Sequence, residues 1–257
     1  MLDPMLAATI SRRRMIVAGF AVVWTSFAAA CSGVARSASS PSASSTATVS
    51  PSGITVATPA CIVTPAETEG PYFVDERLKR SDITVDPSDG SVRPGTPLTL
   101  TLTVAKAGSP CVALAGAQVD LWHCDALGLY SDVPAENSSG RRFLRGYQTT
   151  DSGGTVTFST IYPGWYRGRA VHVHFKVRTF SGSAKTFEFT SQVFFDDAIS
   201  DEAYTQSPYN SRGSRDTRNA NDMVYTTNGN SGSKLLANVS RTATGYRASF
   251  AVGLNVA

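Results

Sequence analysis

The chain has 257 residues, 42% of them hydrophobic and 17% charged, with 23 Lys and Arg against 20 Asp and Glu. That composition fits one soluble domain carrying a non-globular addition. Arg12, Arg13 and Arg14 face only Asp3 within residues 1–30, so residues 31–257 keep 20 basic and 19 acidic side chains; a body this close to neutral has no electrostatic footprint for nucleic acid, and that class is excluded.

Ser11-Arg12-Arg13-Arg14-Met15-Ile16-Val17 leads into an apolar run that ends at Ala28-Ala29-Ala30-Cys31. A basic start, a short apolar stretch and small residues at its end predict a signal peptide over residues 1–30, because a membrane span needs about 20 apolar residues. A transmembrane anchor is the competing reading. The Ser-Arg-Arg pattern is similar to a twin-arginine signal, which exports proteins already folded and suits one that takes up a metal or cofactor first. Cys31 after three alanines resembles a lipoprotein lipobox, with Ala28 where Leu is usual, so lipidation of Cys31 and ordinary cleavage for secretion both stand.

Residues 32–60 hold nine Ser and four Thr, one charge and no aromatic residue, too little apolar surface to fold. The expectation for residues 31–60 is a disordered tether reaching roughly 30 Å. The expected location is extracellular or at the cell surface, with membrane association only through a lipid on Cys31.

From residue 61 to 257 the pattern is that of an all-β domain. Leu98-Thr99-Leu100-Thr101-Leu102-Thr103-Val104 alternates strictly between apolar and polar residues, as a half-buried strand does. The same period recurs in Val119–Leu121, Thr155–Phe158, Val171–Val177, Phe187–Phe195 and Phe250–Val256, separated by turn-rich clusters at Asp86–Gly95, Asp151–Gly154 and Ser181–Ser183. Short strands between turn signals predict a sandwich or barrel. Asp196–Tyr204 suits one helical turn, and residues 205–234 read as a long polar loop. About 197 residues suffice for one sandwich core. Of the body's cysteines, Cys61 and Cys111 flank the first strand in loop-like contexts and are expected to pair once exported; Cys124, in a strand-like stretch, is expected to be a buried thiol, although spacing alone leaves other pairings open.

Two of the three histidines form His172-x-His174 on one predicted strand. Residues i and i+2 share a face, about 6.5–7 Å apart, so both imidazoles can converge on one metal ion. Two exposed strand histidines are the plain alternative. A Pro-Gly turn at Pro163-Gly164-Trp165-Tyr166 stands six residues before His172, and Trp122–Tyr130 brings a second tyrosine after a Gly turn. No Cys cluster, HExxH or carboxylate triad suits zinc. If tyrosines supply the remaining ligands, two phenolates and two imidazoles favour ferric iron.

Together these segments resemble the intradiol ring-cleavage dioxygenases, the family of catechol 1,2-dioxygenases and protocatechuate 3,4-dioxygenases, and in particular its exported single-domain branch. The resemblance rests on Thr68–Phe73, Arg80–Ile83, Trp122–Tyr130, Phe143–Gly146, Pro163–Tyr166 and Arg169–Phe175, and covers about residues 61–200. It implies a transthyretin-like β-sandwich with long loops and little helix, and one non-haem Fe(III) per subunit. Tyr130 and His174 would be equatorial ligands, and Tyr166 and His172 axial ones. Tyr166 is implied to leave the metal and take up a proton. Arg169 is implied to stabilise carbanion character on the substrate with Gln192 as its companion, although the interval from His174 to Gln192 is longer than the family pattern. Tyr72, beside the Glu-Gly-Pro segment, is implied to line the pocket. The implied partners are small catechols and O2, and the implied products are cis,cis-muconate-type diacids. Only five residues separate Tyr166 from His172, which implies an open pocket, and the helical linker that dimerises catechol 1,2-dioxygenases has no counterpart, so oligomeric state is not carried over. The competing function is a surface-tethered β-sandwich binding module, either metal-free or metal-storing.

Overall fold

The computed structural model describes residues 62–108 and 110–256. Residues 1–61, and with them the signal peptide, the tether, Cys31 and the Cys61 half of the expected disulfide, lie outside the described residues.

Among the described residues, nine strands form two sheets. The first is built on β1 (Pro97–Lys106), whose Leu98, Leu100, Leu102 and Val104 all point into the core while its threonines line the other face. β1 pairs antiparallel with β2 (Val112–Ala113) and β5 (Thr155–Ile161), and parallel with β9 (Tyr246–Leu254), which in turn pairs with β8 (Asn238–Arg241). The second sheet runs in the order β4 (Arg145–Thr149), β3 (Gln118–Trp122), β6 (His172–Ser181), β7 (Ala184–Phe194). Val119, Leu121, Val173, Phe175, Val177 and Val193 of this sheet join the leucines of β1 and Val156, Phe158, Phe250 and Val252 in one buried core. This is the expected sandwich, with every strand anticipated from alternation in place.

Period-2 geometry sends the remaining residues of β6, His172, His174, Lys176 and Arg178, to the opposite face of the second sheet. That face is not left to solvent. The segment from Pro65 to Asp75 lies along it: the Glu67 amide donates to Thr190 O (3.2 Å), Ser191 Oγ donates to Pro65 O (2.7 Å), Lys176 pairs with Glu69, and Arg178 bridges Asp75 and Asp120 at 2.8 and 2.7 Å. A sheet buried on both sides explains why charged side chains on β6 are nearly inaccessible yet fully paired.

Two helices are present among the described residues. α1 (Asp197–Ala203) is capped by Asp196, whose carboxylate accepts from the Ala198 amide at 2.7 Å. The stretch anticipated as a polar loop carries 3-10 turns at Tyr209–Arg212, Asn219–Asn221 and Ser231–Leu235 and the kinked α2 (Met223–Asn230). These turns lack an apolar stripe of helical period, so nothing in the hydrophobic pattern marks them.

Candidate active site

Strand register assembles the first part of the site. Arg145, Trp122, His174 and Gln192 are directly opposed neighbours across β4, β3, β6 and β7, forming one row on the covered face. The β6–β7 hairpin turns at Gly182 in the left-handed region (φ +60°), so the long interval between His174 and Gln192 ends with the two side by side. His172 lies one step along the same face. Both histidines are buried, at 2% and 1% exposure, which removes the alternative of exposed strand histidines.

Two loops bring the tyrosines. After β3, Asp125 Oδ1 accepts the amides of Leu127 and Leu129 (2.9 and 3.0 Å), and Gly128 takes φ +85°, closing a tight turn that delivers Tyr130. The Tyr130 amide is held by Glu136 Oε2 at 2.7 Å and its carbonyl by Ser138 Oγ at 2.6 Å. After β5, Pro163-Gly164-Trp165 leads to Tyr166. The two loops lie backbone against backbone. A Cβ on Gly164 would stand 2.2 Å from Asp125 O, and one on Gly128 would stand 2.3 Å from Trp165 O. Both positions therefore require glycine. Cys124, the expected buried thiol, is free and points its Sγ at Gly164 O (3.4 Å) between the loops.

The four side chains converge. Tyr166 Oη is 3.1 Å from His172 Nε2, which is 3.0 Å from His174 Nε2, and the Tyr130 and Tyr166 rings stand 5.6 Å apart nearly edge-on. His172 Nδ1 donates to Ala170 O (2.7 Å), so its Nε2 carries the lone pair and faces the tyrosines. Trp122 stacks on His174 with ring centroids 5.0 Å apart, and Tyr72 stacks on Tyr130 at 4.3 Å and meets Tyr166 edge-on at 5.9 Å. Burial holds both histidines well below their ordinary pKa, reinforced by the Arg169 charge, so they are neutral. Burial likewise pushes both phenols well above theirs, opposed in each case by the Arg169 charge.

The donor set fits a metal ion. Tyr130 Oη is buried without a hydrogen-bond partner, and His172 Nε2, with one lone pair, faces both a phenol and a second imidazole nitrogen. Such groups satisfy one another poorly, and a trivalent cation among them would meet the neutral imidazoles and convert the buried phenols to phenolates. No cluster of three His, Cys, Asp or Glu side chains suited to a metal exists among the described residues.

Arg169, Gln192 and Tyr72 belong to the same cluster. Arg169 sits one turn beyond Tyr166, donates from Nη2 to Gln192 Oε1 (2.6 Å) and places Nη1 3.5 Å from Tyr166 Oη. The Gln192 amide is oriented by its own bond to Thr68 O at 2.9 Å. Arg169 Nε donates to Asp222 (2.9 Å), a fully buried carboxylate that sequence reasoning missed. Asp222 ahead of Met223-Val224-Tyr225 reads as a helix cap; nothing local links it to a residue 53 positions earlier. Arg145 was also missed as more than a motif residue: it ties Ser131 to the Tyr72 carbonyl (3.2 Å), joining the two tyrosine-bearing segments. The third histidine, His123, bonds Cys124 O and Thr160 Oγ1 at 2.8 and 2.7 Å and is structural. Of the expected disulfide, only Cys111 is described, half-buried ahead of β2 in the other sheet.

The family model described as Dioxygenase matches residues 68–216. Among solved structures, the intradiol ring-cleavage dioxygenase from Tetranychus urticae is 32% identical over 76% of this chain and 95% of its own, with a TM-score of 0.65. The dioxygenase domain of a dioxygenase carbohydrate-binding protein fusion from Streptomyces sp. SirexAA-E is 28% identical over 76% of this chain and 100% of its own, at 0.55. The 3-chlorocatechol 1,2-dioxygenase from Rhodococcus opacus 1CP is similar in fold, 19% identical over 73% of this chain and 70% of its own, at 0.50. No curated protein matches the chain.

Proposed function

Because the chain belongs to the intradiol ring-cleavage dioxygenases, enzymes that cleave catechols and use non-haem iron, we propose that Tyr130, Tyr166, His172 and His174 hold one ferric ion and that this enzyme opens catechols between their hydroxylated carbons. The observation that carries this reading is the convergence of two buried phenols and two neutral imidazoles on one point.

Ferric iron, when bound, supplies a Lewis-acidic centre that favours the catechol dianion and makes its ring electron-rich enough at carbon to react with O2. The protein supplies the rest. Tyr72, stacked on Tyr130, presents an aromatic wall against which a catechol ring packs. With iron bound and Tyr166 held as a phenolate, its Oη, within reach of Arg169 and His172, would accept one of the two protons the incoming catechol gives up. Arg169 and Gln192 form a fixed donor pair for negative charge that develops on the substrate. The covering segment and the Trp122 stack keep water from the His174 side. Both atoms of O2 end in a cis,cis-muconate-type diacid, so no outside reductant is needed.

The reading extends to location. Ser11–Val17 and Ala28–Cys31 support export through a twin-arginine route, with either a lipid on Cys31 or free secretion, and residues 31–60 support a tether. The mass of the mature N-terminus separates those two forms.

The test is colour and turnover. The protein, expressed folded with iron, is expected to hold one iron per chain and to show a red-brown tyrosinate band that shifts with catechol under argon and bleaches with oxygen uptake. A colourless, iron-free product would sink the proposal.

A further inference from the structure

Asp222 lies beyond residues 68–216, the stretch that the family model matches. Yet it is fully buried, and each of its carboxylate oxygens accepts two hydrogen bonds. Oδ1 takes the Val224 and Tyr225 amides at 2.7 and 3.0 Å and so caps α2; Oδ2 takes Arg169 Nε at 2.9 Å and the Ala170 amide at 2.6 Å. An acceptor with every lone pair used and a helix start behind it cannot swing.

We propose that Asp222 is a positioning residue for the reaction, acting through Arg169; the inference rests on the dioxygenase reading for what Arg169 does. An arginine fork has five N–H donors, and its value to a reaction is that they stand fixed before charge develops. Here Nε is committed to Asp222, one Nη2 hydrogen to Gln192, and Nη1 lies toward Tyr166. That leaves one hydrogen on each terminal nitrogen to serve charge that develops on a substrate beside Tyr166. Without the Nε anchor the guanidinium keeps only the Gln192 bond and the long 3.5 Å contact with Tyr166, and turns about its long side chain. The same carboxylate fixes Ala170, whose carbonyl holds His172 Nδ1 (2.7 Å), so one buried group sets the fork on one side and the backbone of a ligand histidine on the other.

Asp222→Ser and Asp222→Asn both keep an oxygen that caps α2 while losing the acceptor of the Arg169 fork, so the fold is retained. The iron-loaded variants are expected to lose about 10²-fold in kcat on catechol, with KM within about twofold, as for an interaction made in the transition state. The coupling is read in a cycle with Arg169→Ala: the loss in the double variant is expected to fall well short of the product of the two single losses, whereas a purely structural aspartate gives losses that multiply. Independently of turnover, the Arg169 Nε–H resonance of the protein is expected to be protected from exchange and to lose that protection in Asp222→Ser. Multiplying losses, or unchanged Nε–H protection, would overturn the assignment. A wild-type protein that holds iron but takes up no oxygen with catechol refutes the dioxygenase reading instead, and the Nε–H protection then still decides whether Asp222 fixes the fork.

Discussion

The two tyrosine loops owe their mutual placement to Gly164, and its replacement by alanine tests that directly. The new Cβ would stand 2.2 Å from Asp125 O and 2.7 Å from both the carbonyl carbon and oxygen of Ala126. Ordinary contact begins near 3.4 Å, so one backbone must retreat by about 1 Å, and backbone on both sides gives no flexible side chain to yield. The expected cost in stability is about 1–3 kcal/mol. The functional cost is larger, because Tyr166 lies two residues on and a displacement of about 1 Å at a reacting group costs roughly 10²-fold in rate. Gly182→Ala at the β6–β7 turn is the control: nothing lies within 4 Å, and only its left-handed backbone (φ +60°) is strained, at about 1–2 kcal/mol. Urea unfolding of the two variants is expected to give comparable losses, while iron content, the visible band and turnover collapse in Gly164→Ala alone. Wild-type iron content and turnover in Gly164→Ala would refute the argument that loop contact sets the tyrosines.

Tyr130→Phe removes a buried hydroxyl that has no partner in the iron-free protein, so the apo form is expected to unfold at the same urea concentration or to gain about 1 kcal/mol, while iron binding is lost; a destabilised apo variant would contradict this. The iron-free protein is expected to lose stability as pH falls from about 6.5 to 4. His123, fully buried, has its pKa lowered by burial to about 4. The unfolded chain therefore binds more protons across that window, and stability falls by about 3 kcal/mol for this group at pH 4. Urea midpoints that do not change between pH 7 and 4.5 would count against a neutral buried His123. Arg145→Met is expected to cost about 2–3 kcal/mol, since it deprives the Ser131 and Tyr72 carbonyls of charged donors, and to broaden the tyrosinate band as Tyr72 loosens over Tyr130.

What the sequence reveals and what it conceals divide along physical lines. Strict alternation in Leu98–Val104 and Val171–Val177 is enough to place β1 and β6 and to put His172 and His174 on one face, because side-chain period is a local property. The burial of that face is not local. It depends on Pro65–Asp75 lying across it, held by Glu69 and Asp75 to partners more than 100 residues away. The resemblance to the family's Trp122–Tyr130, Pro163–Tyr166 and Arg169–Phe175 segments singles out Tyr130, Tyr166, His172, His174 and Arg169, the residues that the structure brings together. The place of Gln192 beside His174 comes only from the β6–β7 register, which converts a long interval into a direct neighbour. Asp222 and the clamp made by Arg145 were illegible, since an aspartate before a helix and an arginine in a strand carry no mark of distant partners. The short helical turns within residues 205–234 escaped for the opposite reason: they are too brief to show a period.

Catechol turned over under 18O2, with the product analysed by mass, tests the central claim most directly. The account predicts an open-chain cis,cis-muconate-type diacid carrying both labelled oxygen atoms, formed only when iron is bound and lost in Tyr166→Phe. A product with one labelled atom or none, a ring opened beside rather than between the hydroxylated carbons, or undiminished turnover in His172→Ala would contradict it.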